Sequence, residues 1–232
     1  MSADEGAIRA VIFDMDGVLL DSERIAYAIG RDVCHDMGIP WRHEVAMQMI
    51  GLNSREHERL LKGAYGEDFP VAEHHEEFGR RYEAAIHAGA IPLKPGVLEL
   101  LDLLDRLDLP RAVATSTRRN RALPKLDAVG LLKRMDGVVG GDEVPRGKPA
   151  PDIFQAAATL LETRTTACLV IEDSNAGVRG ALAAGARVVM VPDLLQPADD
   201  VLAAGVRVEP DLAAVRRWLT PTGDGAGPAP GR

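Results

Sequence analysis

The 232-residue chain has few cysteines and few aromatic residues, and both scarcities exclude classes of protein. Its two cysteines, Cys34 and Cys168, form no CxxC pair and do not follow the spacing of zinc ligands. We therefore expect two small buried side chains in a reducing compartment rather than metal ligands or nucleophiles. Aromatic residues make up 4% of the chain, which is too few for a platform that stacks single-stranded nucleic acid.

Excess positive charge and long apolar runs are also missing. Lysine and arginine total 27 against 35 acidic residues, and a net charge of −8 argues against a nucleic-acid partner, which requires a basic patch. No apolar run approaches the roughly 18 residues that cross a bilayer, and residues 1–6 lack the pattern of a secretory signal. We expect a soluble, cytoplasmic, monomeric protein without a membrane partner.

Short apolar runs alternate with helical patterns through most of the chain. The runs are continuous, as in strands that are covered on both faces, and the chain is 46% hydrophobic. They predict strands at 10–13, 112–114, 137–139, 168–171 and 187–191, with a weaker one at 206–208. Helices are predicted at 97–107, at 151–161 with Ala157 and Leu160 facing inward, and at 176–184. This alternation predicts an α/β fold with a doubly wound parallel sheet.

One long segment breaks the alternation. Residues 22–90 contain no convincing strand and show helical spacing, directly after the first predicted strand. We therefore predict a helical domain inserted into an α/β core that comprises residues 1–21 and 91–219. The Gly/Pro-rich residues 220–232 are predicted to be a disordered tail.

Two acidic pairs follow predicted strands. Asp14 and Asp16 come after the first strand, and Glu172 and Asp173 come after the fourth. The carboxyl ends of parallel strands share one edge, where ligands bind in open α/β sheets. Clustered carboxylates repel one another and are costly to bury, so a hard divalent cation is expected among them. The alternative for each pair is a turn or a helix cap, with Asp173 or Ser174 starting the helix near residue 176.

Residues suited to an anion follow two other strands. Thr115, Ser116 and Thr117 bring hydroxyls and backbone N–H groups ahead of a helix, where they suit phosphate, although an ordinary N-cap is the alternative. Lys148 lies between a glycine and Pro149, in a segment that prolines make rigid. Such rigidity is not expected around a lysine that is only a solvated surface charge. A divalent metal, a phosphoryl group and a carboxylate nucleophile fit this set of residues.

In these residues the chain resembles the haloacid dehalogenase (HAD) superfamily of phosphotransferases. Its four motifs are present in order: Asp14-Met15-Asp16-Gly17-Val18, Thr115, Lys148 and Glu172-Asp173. The segments DMDGVLLDSE, GKPAPDIF and IEDSNAGV are similar to the β-phosphoglucomutase-like subfamily, which carries a helical cap between the first two motifs. The resemblance covers residues 10–192 and implies a Rossmann-like HAD core with an inserted α-helical cap.

The resemblance also implies roles for the acidic residues. Asp14 would be the nucleophile that forms an aspartyl-phosphate, and it would also bind Mg²⁺. Asp16 would give its backbone carbonyl to the metal and use its side chain as general acid and then general base. Asp173 would be the third protein ligand of the metal, and Glu172 would either bind it or hold a metal-bound water.

The remaining motif residues would bind the substrate. Thr115 and the N–H group of Ser116 would bind the phosphoryl oxygens, and Lys148 would neutralise that group together with the nucleophile. Arg55 matches a cap loop that reaches the active site in relatives. Arg118 and Arg119 follow the second motif, where they could help to hold a distal anionic group of the substrate, and a solvated basic helix start is the alternative.

The resemblance leaves two activities open. The first is a Mg²⁺-dependent phosphatase that acts on a small phosphorylated metabolite, with sugar phosphates as candidates. The second is a phosphomutase like β-phosphoglucomutase. Such mutases carry a cap histidine where this chain has Ala26, although His35 and His43 lie elsewhere in the predicted cap.

Three further possibilities fit the sequence less well. A dehalogenase would need neither Asp16 nor a metal, and a phosphonatase would need a Schiff-base lysine in the cap, where Lys62 is the only lysine. A non-catalytic binding protein on this fold would be expected to have lost at least one motif residue, and all are present.

Overall fold

The computed structural model describes residues 7–50, 52 and 54–220, except the side chain of His87. Its centre is a six-stranded sheet in the order β3-β2-β1-β4-β5-β6, with every neighbouring pair parallel. The strands are β1 (Ala10–Phe13), β2 (Arg111–Ala114), β3 (Gly137–Val139), β4 (Cys168–Glu172), β5 (Arg187–Met190) and β6 (Arg207–Val208). The predicted doubly wound sheet is confirmed, with β1 and β4 adjacent at its centre.

The central strands are buried because both of their faces are apolar. All four residues of β1 have no solvent exposure. Val11 and Phe13 belong to one apolar cluster, and Ala10 and Ile12 belong to the cluster on the opposite face of the sheet. Successive side chains of a strand point to opposite faces, so a continuous apolar run is what two covering layers require.

Helices supply both covering layers. They are α5 (Val97–Arg106), α6 (Arg119–Ala128), α7 (Asp152–Leu160), α8 (Asn175–Ala183), α9 (Asp199–Ala203) and α10 (Leu212–Leu219). Buried side chains of α5, α6 and α10 join the cluster that contains Phe13, and those of α7 and α8 join the cluster that contains Ile12.

The prediction that Leu160 faces the core is wrong. Ala157 is fully buried as expected, but the Leu160 residue is 40% exposed. The buried face of α7 also includes Ala158. Because Leu160 is two residues farther along the helix, its side chain points about 200° away from that of Ala158 around the helix axis. Leu160 instead covers Gly137 at the beginning of the edge strand β3.

Four helices lie between β1 and α5, and the described part of residues 22–90 contains no strand. They are α1 (Glu23–Asp36), α2 (His43–Met49), α3 (Ser54–Tyr65) and α4 (Val71–His87). The outgoing and returning connections are paired, because Asp21 N–H donates to Pro92 O and Lys94 N–H donates to Leu19 O, each over 2.9 Å. This pairing places the insertion beside the end of β1.

The predicted absence of a secretory signal at residues 1–6 and the predicted disorder of 221–232 fall outside the described residues. Thr220 is described, and it follows α10 directly.

Cys34 and Cys168 are buried and unpaired, as predicted. Within the described ranges, no helix combines the length and apolar character that crossing a membrane requires.

Candidate active site

The predicted site residues converge at the carboxyl edge of the sheet. Asp14 follows β1, Thr115 follows β2, and Asp173 follows β4. The register explains their proximity, because Phe13 of β1 pairs with Val113 of β2 on one side and with Ile171 of β4 on the other. The three strands therefore end at nearly the same level.

Lys148 lies between two of the acidic residues. Its Nζ donates to Asp14 Oδ1 in a very short contact, to Glu172 Oε1 over 2.5 Å and to the carbonyl oxygen of Ala114 over 3.1 Å. It also lies 5.3 Å from the centre of the Phe154 ring. Lys148 is 2% exposed, so it is not a solvated surface charge. Burial opposes its charge, but Asp14 and Glu172 outweigh burial and raise the Lys148 pKa.

Both oxygens of Glu172 have protein partners. Oε1 accepts from Lys148, and Oε2 accepts from the N–H groups of Asp173 and Ser174 and from the Ser174 hydroxyl, each over 3.0 Å. Ser174 also caps α8, since its Oγ accepts from the N–H group of Gly177 over 3.1 Å. Capping is therefore correct for Ser174, whereas Glu172 anchors Lys148.

Asp173 has a different environment. It is 3% exposed, and its carboxylate receives no hydrogen bond from the described residues. Burial raises its pKa well above the usual value, and the charges of Glu172, Asp14 and Glu23 raise it further. A Cβ at Gly17, where φ is +89°, would overlap Asp173 Oδ2. The Asp173 carboxylate therefore lies against the backbone of the turn that follows Asp16.

The site holds more acidic than basic groups. Burial raises the pKa of Asp14 to about 7, with Glu172 and Asp16 adding to the effect and Lys148 opposing it. Glu23, in the first turn of α1, has a pKa raised to about 8 by burial and by the charges of Asp16 and Asp14. Sequence reasoning missed Glu23, which follows the DGVLLDS segment directly. This surplus of carboxyl groups favours an additional cation at the site.

Asp16 is held by three donors. Its Oδ1 accepts from Ser22 Oγ over 2.6 Å and from Lys125 Nζ over 2.9 Å, and its Oδ2 accepts from Thr117 Oγ1 over 2.8 Å. Burial alone would raise the pKa of Asp16, but Lys125 and these hydrogen bonds lower it below the usual value. Sequence reasoning missed Lys125. Its position between Ala122 and Leu126 on α6 was an available signal, because a lysine on that apolar face needs a partner.

The hydroxyl residues after β2 do not cap α6. The residue that precedes this helix is Arg118, whose own side chain makes no capping hydrogen bond. Thr115 is 1% exposed, and its Oγ1 accepts from the N–H group of Thr117 over 3.1 Å. Ser116 is half-buried beside it. The turn therefore remains at the sheet edge, where it can receive an anion.

The arginines proposed to bind substrate lie outside the buried cluster. Arg55 is in the first turn of α3, Arg118 precedes α6, and both are exposed. The neighbouring Arg119 serves the loop after β3, where its guanidinium donates to Val138 O and its backbone N–H donates to Asp142.

Comparison with known proteins identifies relatives over most of the chain. A family profile described as haloacid dehalogenase-like hydrolase matches residues 11–191. Protein CbbY of Rhodobacter capsulatus is 33% identical over 225 residues, which cover 92% of this chain and 98% of that protein. The phosphorylated carbohydrates phosphatase of Thermotoga maritima is 33% identical over 181 residues, which cover 77% and 82%.

A solved structure shares the architecture. The crystal structure of CbbY from Rhodobacter sphaeroides in complex with phosphate superposes with a TM-score of 0.76 at 26% identity. The match covers 90% of this chain and 96% of that one. The similarity therefore spans the sheet and the inserted helices together.

Proposed function

Because the chain belongs to the haloacid dehalogenase-like hydrolases, we propose that it is a phosphatase acting on a small phosphorylated metabolite. The observation that carries the proposal is the buried bridge from Asp14 through Lys148 to Glu172 at the sheet edge. The name of the Thermotoga relative, a phosphorylated carbohydrates phosphatase, makes sugar phosphates the first substrates to test.

In the proposed reaction, an Asp14 oxygen attacks phosphorus, the new O–P bond forms, and the P–O bond to the leaving alcohol breaks. Asp16 donates a proton to the leaving oxygen. Water then attacks the aspartyl-phosphate while Asp16 accepts its proton, which releases inorganic phosphate and restores Asp14. Lys148 and Thr115 stabilise the phosphoryl oxygens, whose negative charge would otherwise repel the nucleophile.

The residues present fit a magnesium ion. Asp14 and Asp173 would hold it with the backbone carbonyl of Asp16, and these are the hard oxygen donors that magnesium prefers. When bound, the ion would neutralise charge on the phosphoryl group and the nucleophile. No three acidic, histidine or cysteine side chains in the described part of the chain form a ready-made metal cluster, but this donor set needs only two. Asp173 fits the role because its carboxylate receives no hydrogen bond from any described residue.

The alternative activities have less support. Ala26 of α1 provides no base for a mutase, His43 contacts Tyr27 Oη over 2.8 Å, and the side chain of His35 is 86% exposed. Lys62, which a phosphonatase would require at the site, is paired with Glu58 over 2.8 Å at the surface of α3. These placements favour transfer of the phosphoryl group to water. Cytoplasmic location and a monomeric state remain predictions from the sequence.

A phosphate-release screen over phosphorylated metabolites, with and without Mg²⁺, tests the function. We expect release from sugar or polyol phosphates that requires the metal and is abolished in the Asp14→Asn variant. Metal-dependent release that survives Asp14→Asn would refute the aspartyl-phosphate route. Isomerisation of a sugar phosphate that depends on a bisphosphate activator would establish the mutase instead.

A further inference from the structure

We propose that Lys125 is a positioning residue that fixes the acid/base Asp16, and that it adapts the site to phosphate esters of alcohols. The inference rests on the proposed function, because it assigns a role in that reaction. It is carried by one juxtaposition: the Lys125 ammonium lies 2.9 Å from Asp16 Oδ1 and 4.6 Å from the centre of the Tyr82 ring.

Lys125 occupies a position where a helix would ordinarily place an apolar residue. Ala122 and Leu126, three residues before it and one after, have no solvent exposure, and Lys125 itself is 6% exposed. Methionine has a similar length and would fill the space without the cost of desolvating an ammonium. The buried ammonium of Lys125 must therefore be stabilised by the groups around it. They are the carboxylate of Asp16 and the face of Tyr82, which together compensate a buried cation.

The chemistry of the three donors distinguishes Lys125 from the other two. The hydroxyls of Ser22 and Thr117 can either donate or accept a hydrogen bond, whereas an ammonium can only donate. Oδ1 of Asp16 is therefore held as an acceptor by Lys125 whether the carboxyl is protonated or not. Oδ2, whose only partner among the described residues is the reversible hydroxyl of Thr117, is left to exchange a proton with the substrate.

Lys125 also connects the core to the insertion. It lies on α6 of the core, whereas Tyr82 lies on α4 of the insertion. The same two helices meet again at Gly79 of α4, where a Cβ would lie 3.3 Å from Nη2 of Arg121. The Tyr82 ring that contacts the ammonium thus belongs to α4, the helix that packs against α6. The contact between Lys125 and Tyr82 therefore serves two purposes. It holds the insertion against the core, and it holds the ammonium that orients Asp16.

This arrangement has a consequence for the class of substrate. An alcohol leaves phosphorus slowly unless its oxygen is protonated, whereas a nitrophenolate leaves without a proton. An acid held in place therefore accelerates hydrolysis of alkyl phosphates far more than hydrolysis of p-nitrophenyl phosphate. A residue that merely stabilises the fold would affect both substrates equally.

The test compares kcat/KM on p-nitrophenyl phosphate with that on glucose 6-phosphate or glycerol 3-phosphate, whichever the native enzyme hydrolyses faster. For Lys125→Met we expect a loss of roughly 10- to 100-fold on the alkyl phosphate and less than about 3-fold on the aryl phosphate, mostly in kcat. Lys125→Arg, which keeps a donor-only cation, should recover part of the loss. Lys133→Met, at an exposed lysine just after α6, is the matched control and should leave both substrates unchanged.

Circular dichroism and the melting temperature show whether each variant is folded. If Lys125→Met does not fold, Tyr82→Leu replaces it, because it removes the ring and keeps the charge. It should produce a smaller loss of kcat/KM, and this loss should again be larger on the alkyl phosphate than on the aryl phosphate. Equal losses on both substrates, or no loss, in a folded variant would overturn the role of Lys125. Failure of the native enzyme to release phosphate from any ester would instead overturn the proposed function, and this inference with it.

Discussion

Nζ of Lys148 lies 2.5 Å from Oε1 of Glu172, and both side chains are almost completely excluded from solvent. The remaining Glu172 oxygen is bound by the backbone at the beginning of α8. The pair therefore fixes the ammonium against the end of β4, from which it reaches Asp14 at the end of β1. Glu172 thus serves the site through Lys148.

Replacing Glu172 tests this relationship. Glu172→Gln keeps the shape of the side chain but leaves the Lys148 charge with one carboxylate fewer. We expect the free energy of unfolding to fall by about 2 kcal/mol and kcat to fall roughly 10-fold or more. The Mg²⁺ concentration at half-maximal activity should change little. Urea denaturation and metal titration measure both quantities, and a large increase in the required Mg²⁺ would show that Glu172 binds the ion directly.

Replacing Asp173 should raise the Mg²⁺ requirement without destabilising the apo protein, which is the opposite of the effects expected for Glu172→Gln. Its carboxylate is without a hydrogen-bond donor among the described residues and carries a raised pKa because of burial and neighbouring charges. We expect Asp173→Asn to raise the Mg²⁺ requirement by roughly 10-fold or more, because a ligand is lost. The same change should leave the apo protein at least as stable, because it removes a carboxyl group whose ionisation is opposed by burial and by the neighbouring acidic groups. Metal titration of activity and metal-free melting curves test the two parts, and an unchanged Mg²⁺ requirement would contradict the assignment.

Gly17 should tolerate no side chain. Its φ is +89°, and a Cβ would overlap Asp173 Oδ2. We expect Gly17→Ala to lower the free energy of unfolding by about 2–4 kcal/mol and to abolish phosphate release. Gly38 provides the matched control, since its φ is +69° but a Cβ there would have no described atom within 4 Å. Gly38→Ala should cost only about 1 kcal/mol and leave activity unchanged. Equal costs for the two variants would refute the steric argument.

His74 should make the fold sensitive to mild acid. It is 5% exposed, and its Nδ1 has no hydrogen-bond partner among the residues that the structure describes. Burial lowers its pKa to about 4, with His75 and His57 contributing. The unfolded chain therefore gains a proton near pH 6.5, whereas the folded protein does not until about pH 4. The stabilisation is fully present above pH 6.5 and is lost progressively as the pH falls towards 4.

We expect His74 to account for about 1 kcal/mol of lost unfolding free energy between pH 7.5 and 5.5. His74→Leu should remove that part of the pH dependence. His35→Gln, at a histidine whose side chain is 86% exposed, should not. Urea denaturation at the two pH values provides the measurement, and an identical pH dependence in the native protein and His74→Leu would be the contrary result.

Sequence reasoning succeeded where chemistry and position are local. Asp14, Thr115 and Asp173 follow strands that can be recognised from continuous apolar runs, and parallel pairing brings the ends of such strands to one edge. Reasoning from periodicity failed at Leu160, because the buried face of α7 runs through Ala157 and Ala158 and the helix ends beside the edge of the sheet.

What the sequence by itself determined is the order of the strands and helices, the presence of the insertion after β1 and the identity of the motif residues. Tertiary structure alone decided which groups meet across long separations. Lys125 and Asp16 are 109 residues apart, and Lys148, in the loop before α7, is 24 residues from Glu172 of β4. No periodic pattern encodes such a contact, since a buried charge is stable only where folding brings its counter-charge.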